Sequence, residues 1–271
     1  MVSQEGFRAP RRGLGQNFLV DPNLQRRIVE SIEILPGDLV VEIGPGRGAL
    51  TRGLLERADH LVLVEKDDAL AEHWVRETHD LDHVQVIHGD ILRTPLHSLG
   101  PVEHMRVVGN IPYNITAPIL FHVLTRPRPL DVVVMVQREV ADRLLAEPGT
   151  GEYGALTVGI RLVARVSRLV QVPRTAFKPR PRVDSTVVRI VPSRPPDITA
   201  EMEEEVRRLT RAVFGWRRKK LRTVLRDHPD YALGVAAAES VLSRAGIDPD
   251  VRGETLGTSQ FVALARFIAG F

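Results

Sequence analysis

The chain has no cysteine among its 271 residues, which excludes disulfides, cysteine-ligated zinc and thiol catalysis. An intracellular site of action is the expectation that agrees with this. Met1 to Arg12 lacks the apolar core of a secretory signal. No run approaches the ~20 apolar residues of a membrane helix, so the chain is expected in the cytoplasm. Nine histidines are present, none in a His-Glu-x-x-His or comparable spacing, and no metal site is expected. A surplus of one charge is almost absent too: 37 Lys and Arg against 34 Asp and Glu leave +3, too little to name a partner. There is no internal repeat and no low-complexity tract. What remains is an ordinary globular composition, 43% hydrophobic and 26% charged. That length suits one sizeable domain and a smaller one.

Short Val- and Ile-rich runs alternate with helical spacing from Leu39 to Gln137. Leu39–Ile43, Leu61–Val64, Val84–Ile87, Arg106–Gly109 and Val132–Val136 read as buried strands. Ala49–Arg57, Ala69–Thr78 and Pro118–Leu124 read as the helices between them, which implies a parallel sheet covered on both faces. A helix near Val140–Leu145 and extended segments at Val166–Val172 and Val183–Val191 follow. Pro192-Ser193-Arg194-Pro195-Pro196 can continue neither a helix nor a central strand and reads as a linker. Beyond it the pattern is helical only, from Thr199 through Trp216–Leu225 and Val235–Ala245 to Ser259–Ala269. The expectation is an α/β domain over residues 1–192, with an N-terminal arm over 1–20, and a small all-helical domain over 197–271.

Chemistry concentrates at strand ends. Glu42-Ile43-Gly44-Pro45-Gly46-Arg47-Gly48 closes the first strand and opens a helix. Its glycines permit a tight turn and close backbone approach to a ligand. The G-x-G-x-G spacing behind an acid, Glu42, favours a nucleoside-methionine cofactor over a dinucleotide; a purely structural turn is the competing reading. Glu65 ends the next strand, where a carboxylate can accept from two ribose hydroxyls, and Lys66 beside it is grouped with the same site. Asp90 ends the third strand unit, placed to accept from an adenine amino group while Ile91 lies against the base. No glycine spacing or hydride-transfer residue supports a nicotinamide oxidoreductase.

Asn110-Ile111-Pro112-Tyr113 follows the fourth strand. An exocyclic adenine amine is a poor nucleophile because its lone pair is delocalised into the ring. Acceptors on its two N–H groups disfavour that planar state, and the Asn110 side-chain carbonyl and a backbone carbonyl near Ile111 can supply them. Pro112 restrains Ile111 to extended geometry, and Tyr113 offers a face for an extruded base. Alone the tetrapeptide would read as a turn. Behind a complete cofactor site it reads as the catalytic loop of an adenine amino-methyltransferase, acting by positioning and electrostatics without a metal.

The basic residues are bunched. Glu201 to Arg226 holds nine of them, with the acids Glu201, Glu203, Glu204 and Glu205 at its start. Acids early and bases late suit a helix macrodipole. The run Arg217-Arg218-Lys219-Lys220, with Arg222, exceeds that need and suggests phosphate contact; a solvated basic face is the alternative. Phe177, Lys178, Arg180 and Arg182 combine an aromatic with cations, either as an RNA-side loop or as a rigid proline-bearing structural loop. Arg8, Arg11 and Arg12 fit an arm near RNA or a plain terminus equally well.

These residues together resemble the rRNA adenine N6,N6-dimethyltransferases, most closely the small-subunit branch often called KsgA. The likeness runs from Gly15-Gln16-Asn17-Phe18-Leu19 through the glycine turn, Asn110–Ile115, Gln137–Ala141, Gly151–Gly154 and Phe177–Ser185 to Phe214–Leu221. It implies a Rossmann-like S-adenosylmethionine-dependent methyltransferase domain and cofactor contacts at Asn17, Leu19, Gly44, Glu65, Asp90 and Asn110, the first two on the resemblance alone. It implies as substrate two adjacent adenosines in the 3′-terminal stem-loop of 16S rRNA, each methylated twice within pre-30S particles by a monomer. Lys220 stands where a threonine is frequent, which adds charge only. The Erm-type large-subunit branch shares this chemistry and is the nearest rival. A non-enzymatic assembly factor and a DNA adenine methyltransferase are more distant ones.

Overall fold

Buried parallel strands carry apolar side chains on both faces, and the Val- and Ile-rich runs of this chain do so at the centre of a seven-stranded sheet. The structure, a computed structural model, describes residues 17–193 and 198–270. In chain order the elements are β1 Phe18–Leu19, α1 Pro22–Glu30, β2 Leu39–Ile43, α2 Thr51–Leu55, β3 His60–Glu65, α3 Asp68–Glu77 and β4 Val84–His88. There follow β5 Met105–Asn110, α4 Thr116–Val123, β6 Asp131–Gln137, α5 Arg138–Leu145, α6 Ala155–Arg161, β7 Ala164–Val172, β8 Phe177–Lys178 and β9 Ser185–Pro192. The remainder is helical: α7 Ala200–Gly215, α8 Leu221–Asp227, α9 Gly234–Arg244 and α10 Thr258–Ala269.

The strand order is β4-β3-β2-β5-β6-β9-β7. The first five strands pair in parallel, and β9 runs antiparallel to β6 with Gln137 opposite Ser185. The order reverses beside β2, so β2 and β5 leave a crevice at their carboxyl ends, where doubly wound sheets bind ligands. A two-stranded ribbon pairs β1 with β8, Leu19 opposite Phe177 and Phe18 opposite Lys178. By contacts, the described residues of Met1–Ala141 and Ser167–Val191 form one unit, and those of Asp142–Val166 and Pro192–Phe271 a second. Segment 142–166 thus packs with the helices although it lies before the proline run. The second unit is centred on α7, whose Met202, Val206, Leu209 and Val213 are buried. The rings of Tyr153, Phe214 and Phe261 meet there at 5.9 Å centroid separations.

Besides β1, β8 and α6, which were not anticipated, three helical stretches differ from the expectation. The helix over Ala49–Arg57 is confined to Thr51–Leu55, because the glycine turn runs on through Gly48. The helical stretch over Trp216–Leu225 is broken. α7 stops at Gly215, Trp216 packs edgewise on His228 at 4.9 Å, and α8 begins only at Leu221. The basic run therefore lies in a turn, past the end of the helix whose dipole it was read against, and α7 has no base in its last turn. α1 was not anticipated, although Asp21 caps it by accepting from the Asn23 and Leu24 amides at 2.9 and 3.0 Å and Pro22 opens it. Gly15, Gln16, the arginines of the N-terminal arm and Arg194–Pro196 of the linker lie outside the described residues.

Candidate active site

The glycine turn is built for close approach. Gly44, Gly46 and Gly48 hold φ of +65°, +55° and +84°, a region L side chains rarely adopt. A β-carbon at Gly48 would fall 2.7 Å from the Trp74 ring, whereas one at Gly44 would meet nothing within 4 Å. Gly48 is therefore fixed by packing, and Gly44 by backbone conformation beside an open cavity. Trp74 Nε1 donates to the Gly46 carbonyl at 2.9 Å and pins the turn from α3. The Phe18 ring lies across the other side, with the Arg47 guanidinium 4.4 Å from its centroid. Neither Trp74 nor Phe18 was singled out from sequence. Their signal was only that aromatics near a glycine turn have a flat face to pack on it.

Three carboxylates serve the same cavity. Glu65 is buried at the end of β3, where its oxygens accept from the Gly46 amide at 3.0 Å and the Asp67 amide at 2.8 Å. Desolvation raises its pKa and these N–H bonds oppose the rise. The backbone holds the group in one orientation, leaving lone pairs for a diol. Asp90 Oδ2 accepts from Lys66 Nζ at 2.8 Å and Oδ1 from the Leu92 amide at 3.0 Å. The Lys66 hydrogen bond is the main reason its pKa is lowered. Ile91 is buried beside it.

Glu42 differs from both. It is 2% exposed, and its Oε2 finds no hydrogen-bond partner. Desolvation pushes its pKa from 4.5 to about 8, Thr51 offsetting and Glu65 adding to the rise. Thr51 Oγ1 is itself without a partner of hydrogen-bond geometry, so its help is weak. The sign of the linkage follows. Below pH 4.5 the carboxyl is neutral folded or unfolded; between 4.5 and about 8 the fold keeps a proton that the unfolded chain releases. The ligand-free protein is therefore expected to lose stability as pH rises through that window, at a limiting slope of about 1.4 kcal/mol per pH unit. Glu42→Gln should flatten the profile and be the more stable of the two at pH 8. Parallel melting curves for both proteins across the window would refute this.

Asn110 ends β5 at the cavity. Its Nδ2 donates to the Asn17 carbonyl at 3.0 Å, which assigns the amide orientation and leaves Oδ1 as the free acceptor. Pro112 follows with φ −59° and ψ 131°. Ile111 is buried at 1% exposure and lines the cavity, so it anchors the loop in the core. The Tyr113 hydroxyl lies 2.6 Å from Ser185 Oγ.

Asn17, Leu19, Glu42, Gly44, Gly46, Glu65, Lys66, Asp90, Ile91 and Asn110 through Tyr113 all line this one cavity. An adenosyl group fits the donors and acceptors present: a fixed carboxylate for a diol, a second for an amine, and a glycine turn that keeps side chains out of the way. Among the described residues no group of three or more His, Asp or Glu is placed to hold a metal.

The candidate RNA contacts divide. Lys178 and Arg180 are exposed, but Phe177 is 2% exposed and packed in the core with Leu19, Val170 and Val172. Arg217 is tied to Glu254 at 2.5 Å and to the Gly151 and Thr150 carbonyls at 2.9 and 3.1 Å. Lys220 and Arg222 share Asp250 at 3.2 and 3.1 Å. Arg218 and Lys219 are exposed.

The family model described as Ribosomal RNA adenine dimethylase matches residues 8–269. The "Ribosomal RNA small subunit methyltransferase A" of Aromatoleum aromaticum is 43% identical over 260 residues, covering 96% of this chain and 94% of that protein. The protein of the same name from Geobacillus kaustophilus is 40% identical, with 96% and 91% covered. Among solved structures, a dimethyladenosine transferase from Plasmodium falciparum superposes with a TM-score of 0.77 at 26% identity, covering 91% and 95% of the two chains. The 23S rRNA methyltransferase ErmE does so at 0.68 and 28%, covering 93% and 99%. With the glycine cradle, its carboxylates and the Asn-Ile-Pro-Tyr loop in one cavity of such a fold, the chain belongs to the ribosomal RNA adenine dimethylase family and is an S-adenosylmethionine-dependent rRNA adenine methyltransferase.

Proposed function

We propose that the chain dimethylates N6 of two adjacent adenosines in the 3′-terminal stem-loop of 16S rRNA, within assembling small subunits in the cytoplasm. The observation that carries the choice of subunit is similarity over 82–98% of the chain to relatives named as small subunit methyltransferases, at 38–47% identity. The likeness to the 23S enzyme stands at 28%.

S-adenosylmethionine supplies an electrophilic methyl group on a sulfonium. The residues around it hold and aim the base. Glu65 takes the ribose hydroxyls and Asp90, steadied by Lys66, the cofactor's adenine amine. In the first transfer Asn110 Oδ1 and the Ile111 carbonyl accept from the two N–H groups of the target amine, and in the second one of them accepts from the single N–H left, drawing the lone pair out of conjugation. Tyr113 stacks on the base and keeps the nitrogen in line. As the nitrogen bonds the methyl carbon, the methyl–sulfur bond breaks and its electron pair stays on sulfur; the positive nitrogen is stabilised by acceptors on its N–H groups, two in the first transfer and one in the second, until its acidic proton leaves to water. Offering small- and large-subunit particles from unmethylated strains with labelled cofactor, then mapping the modified bases, tests the substrate. Label confined to the large subunit would overturn the choice.

In the helical unit, Arg218 and Lys219 serve the RNA, whereas Arg217 holds Glu254 and two carbonyls. Arg218→Ala with Lys219→Ala should weaken RNA binding several-fold and reduce the slope of log K against log salt by up to about 2 for two phosphate contacts. Arg217→Ala should instead lower the melting temperature. An unchanged slope in the double variant would return the run to a solvated face.

A further inference from the structure

We infer that Ser185 is a positioning residue for the reaction, fixing the Tyr113 ring against which the target base stacks; this rests on the base-stacking role proposed above for Tyr113. Ser185 opens β9 opposite Gln137, at the carboxyl end of β6 and on the same rim as the Asn110 loop. It is 1% exposed, and its Oγ lies 2.6 Å from the Tyr113 hydroxyl. A tyrosine beside a cavity can ordinarily swing about its side-chain torsions. Here Pro112 restrains the backbone just before the ring, and a buried strand residue holds the hydroxyl at the other end. Burial raises the Tyr113 pKa, so the phenol stays neutral and keeps its proton to share with the serine. A ring anchored at both ends presents one face in one plane, which in-line transfer to a stacked base requires.

The same serine sits at the base of the cationic loop. One residue earlier, the Asp184 carboxylate accepts from the Arg174 amide at 2.9 Å and its carbonyl from the Arg138 amide at 3.0 Å. The stretch that displays Lys178, Arg180 and Arg182 is thus closed by a clasp directly beside Ser185.

The test is a double-mutant cycle with small-subunit particles as substrate and S-adenosylhomocysteine affinity measured in parallel. Ser185→Ala and Tyr113→Phe each break the bond, from opposite sides. Each is expected to lower kcat about 5- to 30-fold, with cofactor affinity within twofold and the double variant no slower than the slower single. The chain has three tyrosines, so labelling tyrosine at Cζ alone gives three NMR signals. In Ser185→Ala the Tyr113 signal should shift alone, because Tyr153 donates to the Leu256 carbonyl and Tyr231 to Glu205. Wild-type kcat in Tyr113→Phe, which leaves the buried strand untouched, overturns the inference, as do multiplicative losses in the double variant. Tyr113→Ala separates the two claims. Full turnover there removes the stacking role itself, whereas a crippled Tyr113→Ala beside a fully active Tyr113→Phe removes only the role of Ser185.

Discussion

Asn110→Ala is expected to lower methyl transfer by about a hundred- to a thousand-fold, the range seen when one preorganised polar group aimed at developing charge is removed. Its affinity for S-adenosylhomocysteine should change by less than about tenfold. The difference follows from what each cavity group touches. Gly44, Gly46, Glu65 and Asp90 remain, and the two acids are held by backbone amides and Lys66 rather than by Asn110. What is lost is one acceptor for the target amine, and no other side chain of the loop can replace it. Ile111 is buried, Pro112 has no polar side-chain atom, and the Tyr113 hydroxyl is engaged with Ser185. The substitution also frees the Asn17 carbonyl from its 3.0 Å bond, which accounts for the modest change allowed in cofactor affinity. Asn110→Asp is the informative companion. It keeps an acceptor but sets a carboxylate against the Asn17 carbonyl it formerly donated to, so it should recover only part of the loss. Single-turnover assays at saturating cofactor measure both, and wild-type turnover in Asn110→Ala would remove Asn110 from the mechanism.

The parallel strands were legible in the sequence because their burial on both faces leaves little room for polar residues. Leu61–Val64 and Val132–Val136 are near-continuous apolar runs, and the structure finds them in β3 and β6, lengthened only by the polar His60, Glu65, Asp131 and Gln137. The residues of the cavity were legible for a related reason: a strand end that needs a glycine or a carboxylate for a ligand shows it within two or three positions. Contacts between distant segments leave no such local trace. Asn17 meets Asn110 across 93 residues and Tyr113 meets Ser185 across 72. No spacing rule links either pair; the resemblance supplied Asn17, and Ser185 appeared only inside a motif. Charge runs mislead in the opposite way. Arg217 to Lys220 looks uniform in sequence, but the acids that claim Arg217 and Lys220 come from Glu254 and Asp250, some thirty residues on. The break at Gly215 was readable as a helix C-terminal glycine, and α1 from its Asp-Pro start.

At the opposite end of β5 from Asn110, Arg106→Met is expected to destabilise the protein by about 3–5 kcal/mol, much of the ~5–15 kcal/mol that holds a typical domain folded. Arg106 is 12% exposed and bonds Asp38 through Nε and Asp131 Oδ2 through Nη1 at 3.1 Å. Arg189 approaches Asp131 at 3.3 Å but spends its other nitrogens on Glu33 and the Ser31 and Ile32 carbonyls. Methionine would fill the space of the arginine stem and take the guanidinium from two carboxylates, leaving Asp38 to the Leu35 amide at 2.8 Å and Asp131 to Arg189. The Asp131 Oδ1 already lacks a partner. Burial raises the Asp131 pKa despite both guanidinium groups, and losing one of them should raise it further. A buried acid with a raised pKa penalises the fold only above its unfolded value near 3.9, as the carboxylate is forced to ionise. The deficit of Arg106→Met should therefore be small near pH 4 and grow as pH rises, reaching roughly 10 °C in melting temperature at neutral pH. Adding Asp38→Asn should return part of it by removing one stranded charge. A pH-independent deficit would show that lost packing rather than stranded charge is the cause. Because the network lies a strand's length from the cleft, the folded fraction of the variant should bind S-adenosylhomocysteine like the parent, the reverse of the pattern expected for Asn110→Ala.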